Sequence, residues 1–489
     1  MKLPLSAALV LVAYIVAITA FGTWLGRKHS GGVHGYFLGG KSVPWWAIAS
    51  CIVATETSTL TFIGTPGTAY NGNYTFLQLV LGYVLGRLFV SAFFLPAYFR
   101  GEIFTSYEIL QKRFGGAVRA TSSGIFLLSR TLGDGIRLHA AALVLSIAAG
   151  INEWWCILAL GIAMILYTEE GGVVATIWTD SIQMFVYLFG ALACFAAVAL
   201  ALPDGIGGAF AKAAAAGKLT FINGSFDLRD PYTIWAGVIG GMFLTIATHG
   251  TDHYLVQRFL VAKSQKDAQT GLILSGFLVF AQFALFLSLG ILLWAFYDGR
   301  KFGRPDEILP TFVSTELPGV FTGLILAAIV AAALSPSLNS MASATLRDFY
   351  VPYVDPAVSE TKQLRLAKRF TIFWGILQIA VAGYASQANN VESALAAGLA
   401  ALGYASGPTV GAFALGLFTK AANTKGTMTG MLAGLLVSLS AGLLCEWLFG
   451  FKGVAWTWNV FIGATVTFVV GLSASVLIPD RESAALAQA

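Results

Sequence analysis

Charge is what this 489-residue sequence has least of: Asp, Glu, Lys and Arg together make up 11% of it. With 57% hydrophobic residues and a mean hydropathy of +0.76, it has too little polar surface to wrap a water-soluble core of this size. The lipid bilayer is its solvent. Long polar stretches are also missing. The longest, near 203–231 and 298–317, are too short to bury a core of their own, so no soluble domain is expected. Cysteine is scarce, and Cys51, Cys156, Cys194 and Cys445 each sit in an apolar segment without metal-ligand or redox spacing. No His, Cys, Asp and Glu set is spaced like a metal cluster, and no nucleophile or phosphate loop lies near an interface, which argues against an enzyme. The net charge of +5 follows the loops in the manner of a membrane protein and does not call for a nucleic acid partner.

Glycine and tryptophan, at 54 and 12 residues, are plentiful. Small residues let membrane helices approach closely, and aromatic rings favour the two interfaces. Crossing the hydrocarbon core takes about 20 apolar residues. About thirteen such spans are predicted, near 5–26, 45–65, 75–98, 120–149, 153–168, 172–202, 232–250, 268–297, 318–345, 369–386, 391–418, 427–449 and 456–478. The first is read as a retained helix, because its apolar run is long for a signal peptide and is followed by Arg27 and Lys28. An odd number of spans puts the termini on opposite sides. With the N-terminus outside, cytoplasmic loops hold eighteen Lys and Arg, Arg119 and Arg258 among them, against eight outside, while Arg87, Arg130 and Arg137 fall inside spans. The positive-inside rule therefore favours an outside N-terminus and a cytoplasmic C-terminus.

Polar groups at membrane depth are costly and become functional candidates for that reason. In the second span Thr55, Glu56, Thr57, Ser58, Thr59 and Thr61 interrupt an apolar helix. Consecutive polar residues point all around a helix, so one packed face cannot hold them. A broken helix whose carbonyls and hydroxyls line an ion and solute site accounts for the run; back-bonding of Ser and Thr accounts for the hydroxyls but not for Glu56. The fourth span stacks Arg130, Asp134 and Arg137 on one face. Either the stripe neutralises itself and locks packing, or an arginine grips a solute carboxylate. The sixth span places Asp180 inside the cytoplasmic boundary, as an oxygen ligand for a cation or as a helix-dipole partner. The seventh carries Thr245, Thr248, His249, Gly250, Thr251 and Asp252, a second polar break five spans after the first, the separation that two inverted five-helix repeats produce. The ninth contains Ser335-Pro336-Ser337, where proline frees the carbonyl of Ala332 for a cation or simply kinks the helix.

These motifs resemble the solute:sodium symporters, a family that includes the sodium/glucose cotransporters and bacterial proline and sialic acid transporters. The resemblance covers nearly the whole chain. It rests on Gly171-Gly172 through Thr179-Asp180 with Gln183, on Thr251-Asp252 through Val256-Gln257-Arg258 with Ala262-Lys263-Ser264, on Leu338-Asn339-Ser340 with Asp348 and Tyr350, and on Gly416-Leu417-Phe418 with Lys420 and Gly426. It implies an all-α, leucine-transporter-like fold working by alternating access: an extra N-terminal helix at 1–30, a first repeat at 45–202, a second inverted repeat at 232–418, and additional helices at 424–478. By the same resemblance, backbone oxygens of Ala54 and Thr57 contribute to one sodium site. The hydroxyl pair usual on the eighth core helix is here Ala332 and Ala333. A second cation site aligns with Asp180, Ser335 and Pro336. Solute-lining positions correspond to Glu56, Ser58 and Thr61 and to Thr248 and His249, with Glu56 where a small residue is more typical.

The expectation is a cation-coupled symporter of a small polar organic solute, anionic or zwitterionic, in a bacterial inner membrane. The solute meets Glu56, Ser58, Thr61, Arg137, Asp134, Thr248 and His249. The cation, Na+ with H+ on Glu56 as the alternative, meets Ala54, Thr57, Asp180, Ala332, Ser335 and Ser337. The rival reading is a sensor that kept a transporter fold.

Overall fold

The computed structural model describes residues 4–28, 32–101, 103–333, 337–387, 394–450 and 453–478. Ser335 and Pro336, and the charged tail with Arg481, lie outside the described residues. The principal helices are α1 (Leu5–Lys28), α2 (Trp45–Glu56), α3 (Thr59–Asn71), α4 (Leu77–Phe93), α5 (Gly116–Ala149), α6 (Glu153–Ala201), α7 (Gly241–Thr245), α8 (His253–Leu260), α9 (Gln265–Phe296), α10 (Gly319–Ala333), α11 (Leu338–Ala344), α12 (Glu360–Ala385), α13 (Ala394–Phe418), α14 (Thr424–Phe449) and α15 (Asn459–Leu477). Backbone polar groups in lipid must be satisfied within the span, which is why helices carry this sequence.

Six described helices are long and apolar enough to cross a membrane: Leu5–Leu25, Tyr74–Tyr98, Gly172–Ala201, Gln265–Phe296, Glu360–Ala385 and Trp456–Leu477. The pair α2 and α3 is bent by 60° at its break and counts as a seventh crossing if the two halves form one span. This is a multi-pass membrane fold, with six or seven clear crossings among the described residues where about thirteen spans are expected. Helix α5 is 34 residues long and carries Arg119, Arg130, Asp134 and Arg137. On α14, Leu432, Leu436, Leu439 and Leu443 recur at helical spacing and are 57–72% exposed, a stripe that lipid can cover and water would penalise.

The bundle surrounds α2. Helix α2 packs on α6 and α9, α3 packs on α9, and α4 packs on α7. The last contact is made by glycine: a Cβ on Gly82 would lie 2.5 Å from the carbonyl of Gly237, and one on Gly241 would lie 2.3 Å from that of Leu79. Two backbones can come that close only without side chains between them. On the far side of α3, Lys218 Nζ donates to the carbonyls of Tyr70 at 2.6 Å and Gly72 at 3.1 Å, and burial draws this ammonium below the usual lysine value.

Helix α6 turns at Gly172, where φ is 58° and ψ is −177° and where a Cβ would come within 3.2 Å of the Tyr36 ring. That backbone region is essentially reserved for glycine. Gly172→Ala is expected to cost about 1–3 kcal/mol, read as a lower melting temperature of the detergent-purified protein, with an unchanged melting temperature as the contrary result.

Candidate functional site

The first break begins where α2 ends. Thr57 (φ −79°, ψ 75°) leaves the helix, and Ser58 N donates at 2.9 Å to the carbonyl of Glu56, not to that of Ala54, its acceptor in a continuing helix. Side chains stitch the gap: Thr61 Oγ1 donates to Glu56 O at 3.1 Å, and Ser58 caps α3 by accepting from Thr61 N at 3.4 Å. The second break ends a wide-turn segment, Ile246–Thr251, whose hydrogen bonds span five residues. Asp252 is extended (φ −74°, ψ 120°) and caps α8 by accepting from Tyr254 N at 2.9 Å.

These two breaks face each other. Glu56 Oε1 lies 3.4 Å from His249 Nε2, and His249 Nδ1 is 2.9 Å from Thr248 Oγ1. Five of the seven solute candidates, Glu56, Ser58, Thr61, Thr248 and His249, therefore form one connected set. The group that completes it is Arg87 of α4, whose Nη2 donates to Glu56 Oε2. Arg87 is 1% exposed and held by Nε to Ser275 Oγ at 3.2 Å and Nη1 to Tyr83 O at 3.1 Å. Its presence in an apolar span was legible; its partner was not, because the pair joins residues 31 apart in the chain.

The fourth-span stripe neutralises itself only in part, through Asp134 and Arg137. Arg130 donates through Nε at 2.8 Å and Nη2 at 2.6 Å to Asp252 Oδ2, on another helix, and not to Asp134. Asp252 sits at the unwound turn beside α5, where its carboxylate serves as helix cap and counter-ion together. Asp134 accepts from Ser337 Oγ and lies 3.6 Å from Arg137 Nη1. Asp134 and Arg137 are thus grouped with Ser337, a cation candidate, and not with Glu56.

The cation candidates fall in three places. Thr57 Oγ1 donates to Val53 O at 2.7 Å and pairs with Gln282 at 2.6–2.9 Å. Asp180 accepts from Arg258 Nη2 at 3.0 Å and from Cys51 Sγ at 3.3 Å. Ser337 faces Asp134. Ala54 is buried, and Ala332 lies in the last turn of α10. Among the described residues no group of three or more His, Cys, Asp and Glu stands ready for a metal ion.

Arg258, counted among the cytoplasmic loop charges, is instead 1% exposed within α8. Its Nε donates to Thr55 Oγ1 at 3.2 Å and its guanidinium covers the Tyr254 ring at 3.9 Å, with Arg130 on the same ring at 4.9 Å. Arg119, likewise placed in a loop, pairs with Asp348 at 2.6 Å. Arg119 lies on α5, which begins before the expected boundary, and Arg258 on α8, a separate short helix after the second break; each meets a buried carboxylate.

The sequence pattern of the Sodium:solute symporter family matches residues 36–434. The chain is 29% identical over 443 residues to the sodium/iodide cotransporter of Homo sapiens, covering 88% of this chain and 68% of that one. It is 30% identical to sodium-coupled monocarboxylate transporter 2 of Mus musculus, covering 82% and 66%. It spans about two thirds of the length of these animal relatives. With the sodium/sialic acid symporter of Proteus mirabilis it shares 30% identity over 94% of both chains. Among solved structures, an outward-open, substrate-bound Na+-coupled sialic acid symporter superposes with a TM-score of 0.87 at 28% identity, over 98% of this chain and 99% of that one. A nucleobase-cation-symport transporter in a closed conformation matches with a TM-score of 0.55 at 14% identity over 93% and 98%, a likeness of fold alone.

The Asp180–Arg258 contact generates a test. Asp180→Asn strands a buried guanidinium and is expected to cost about 3–5 kcal/mol. The double variant Asp180→Asn with Arg258→Gln strands no charge and is expected to melt above the single one; equal melting in both would show that the two side chains are not coupled.

Proposed function

The chain belongs to the sodium:solute symporter family, and from that premise we propose that it carries a small polar organic solute held between its two broken helices. It is a secondary active transporter and not an enzyme: a sodium gradient drives a solute through a multi-pass, alternating-access fold. The observation that carries the reading is the 3.4 Å approach of Glu56 to His249. It joins two points where regular helical hydrogen bonding fails, and irregular backbone at membrane depth is tolerated where it lines a polar cavity.

In this reading the solute rests against Glu56, Ser58, Thr61, Thr248 and His249, with Arg137 and Asp134 farther along its path. The cation draws on Ala54, Thr57, Asp180, Ala332, Ser335 and Ser337. Alanine at 332 and 333 removes two hydroxyls from that shell, which shifts the work to backbone oxygens such as that of Ala54. The finer architecture belongs to the same proposal: about thirteen spans, the inverted repeats 45–202 and 232–418, the flanking helices at 1–30 and 424–478, and an outside N-terminus with a cytoplasmic C-terminus in a bacterial inner membrane. An anionic or zwitterionic cargo is favoured because iodide, monocarboxylate and sialic acid, for which the relatives are named, all carry negative charge.

Proteoliposomes test this directly. A tenfold inward sodium gradient is worth about 1.4 kcal/mol for each coupled ion and supports up to about tenfold solute accumulation at one sodium per solute. At fixed pH, accumulation is expected with sodium and is expected to collapse when the sodium gradient is dissipated. Uptake driven by a proton gradient without sodium would move the coupling to Glu56 and overturn the sodium version.

A further inference from the structure

Glu56 keeps 17% of its side chain exposed in the middle of the bundle, while Thr55 and Thr57 on either side are 4% and 2% exposed. Its two partners are sealed: Arg87 is 1% exposed and His249 is fully buried. The Glu56 side chain is therefore partly open, with the guanidinium of Arg87 against its carboxylate. Ser275 Oγ and the carbonyl of Tyr83 occupy the Nε and Nη1 edges of Arg87, which leaves Nη2 turned toward Glu56. The other oxygen, Oε1, faces a buried imidazole edge 3.4 Å away.

The pair is neutral as a unit, and that sets a condition on whatever lodges beside it. A monoanion that drew Arg87 away would leave Glu56 ionised beside one buried imidazole. A monocation that captured Glu56 would leave Arg87 with only neutral acceptors. Breaking a buried ion pair by taking one partner is among the most costly changes a protein interior can suffer. A solute bearing both signs avoids either loss, because each of its charges replaces the one it displaces.

Resting on the symport reading above, we infer that the cargo is a zwitterion, bound by exchange of ion-pair partners: its cationic nitrogen on Glu56 and its carboxylate on Arg87 Nη2. The exchange makes and breaks ion pairs only; no covalent bond changes and no proton moves. Glu56 then sets specificity: it rejects plain carboxylates, which Arg87 alone would welcome. Arg87 serves both as counter-ion at rest and as carboxylate anchor when loaded.

The test uses the purified full chain, titrated in sodium chloride with L-alanine, L-proline and glycine betaine as zwitterions, L-lactate and nicotinate as anions, and D-glucose as a neutral polar probe, with thermal stabilisation as the readout. A zwitterion is expected to bind at least about a hundredfold more tightly than the best anion, the factor by which stranding one charge of a buried pair weakens binding. In Glu56→Gln, where Arg87 keeps its charge, the order is expected to reverse in favour of the anion. The double variant Glu56→Gln with Arg87→Gln strands nothing and is expected to lose the discrimination, which covers the case in which the single variant does not fold. Preference for lactate, nicotinate or glucose in the wild type, or an unchanged zwitterion preference in either variant, would overturn the inference while leaving symport intact. Absence of any sodium-dependent stabilisation across all three classes would count against the symport reading itself.

Discussion

An ionised side chain inside a bilayer is tolerated beside an opposite charge or facing water, and this bundle meets that constraint by pairing across helices. Glu56 at the end of α2 meets Arg87 of α4; Asp252 at the second break meets Arg130 of α5; Asp180 of α6 meets Arg258 of α8. Each pair ties a segment at or just after one of the two breaks to a neighbouring helix. The places where helical hydrogen bonds are missing are thus held in position by charge. The Tyr254 ring, covered by Arg258 at 3.9 Å and Arg130 at 4.9 Å, connects two of these pairs through aromatic contacts.

The arrangement bears on transport because alternating access requires segments that move as bodies without leaving a bare charge behind. A neutral pair spanning a moving element and a fixed one resists motion until something supplies equivalent partners. Glycine contributes the complementary property. Where α4 meets α7 through Gly82 and Gly241, the backbones themselves are in contact, a smooth surface with few side chains to unlock. Charge fixes the rest position, and close glycine packing leaves the neighbouring interface free of interdigitating side chains.

Much of this was legible in the linear text. The membrane class followed from scarce charge, and both breaks followed from polar runs that no single helix face accommodates: Thr55 to Thr61 and Thr245 to Asp252. The resemblance drawn from short motifs agrees with the family found across residues 36–434. The pairing was another matter. Arg87 stood out as an intraspan cation without an assigned partner, Arg258 and Arg119 read as loop charges, and Asp134 looked like the mate of Arg130 because it lies one turn away on the same face. Helical spacing shows what stacks along one helix, whereas Asp252 reaches Arg130 from 122 residues away.

What the sequence determined by itself was therefore the solvent, the helical class and the points of interruption, because hydropathy and side-chain periodicity are local properties. The tertiary structure alone decided which charges meet across helices. Opposite charges attract over a distance set by folding and not by position along the chain, so the identity of the group opposite Glu56 is a fact about packing.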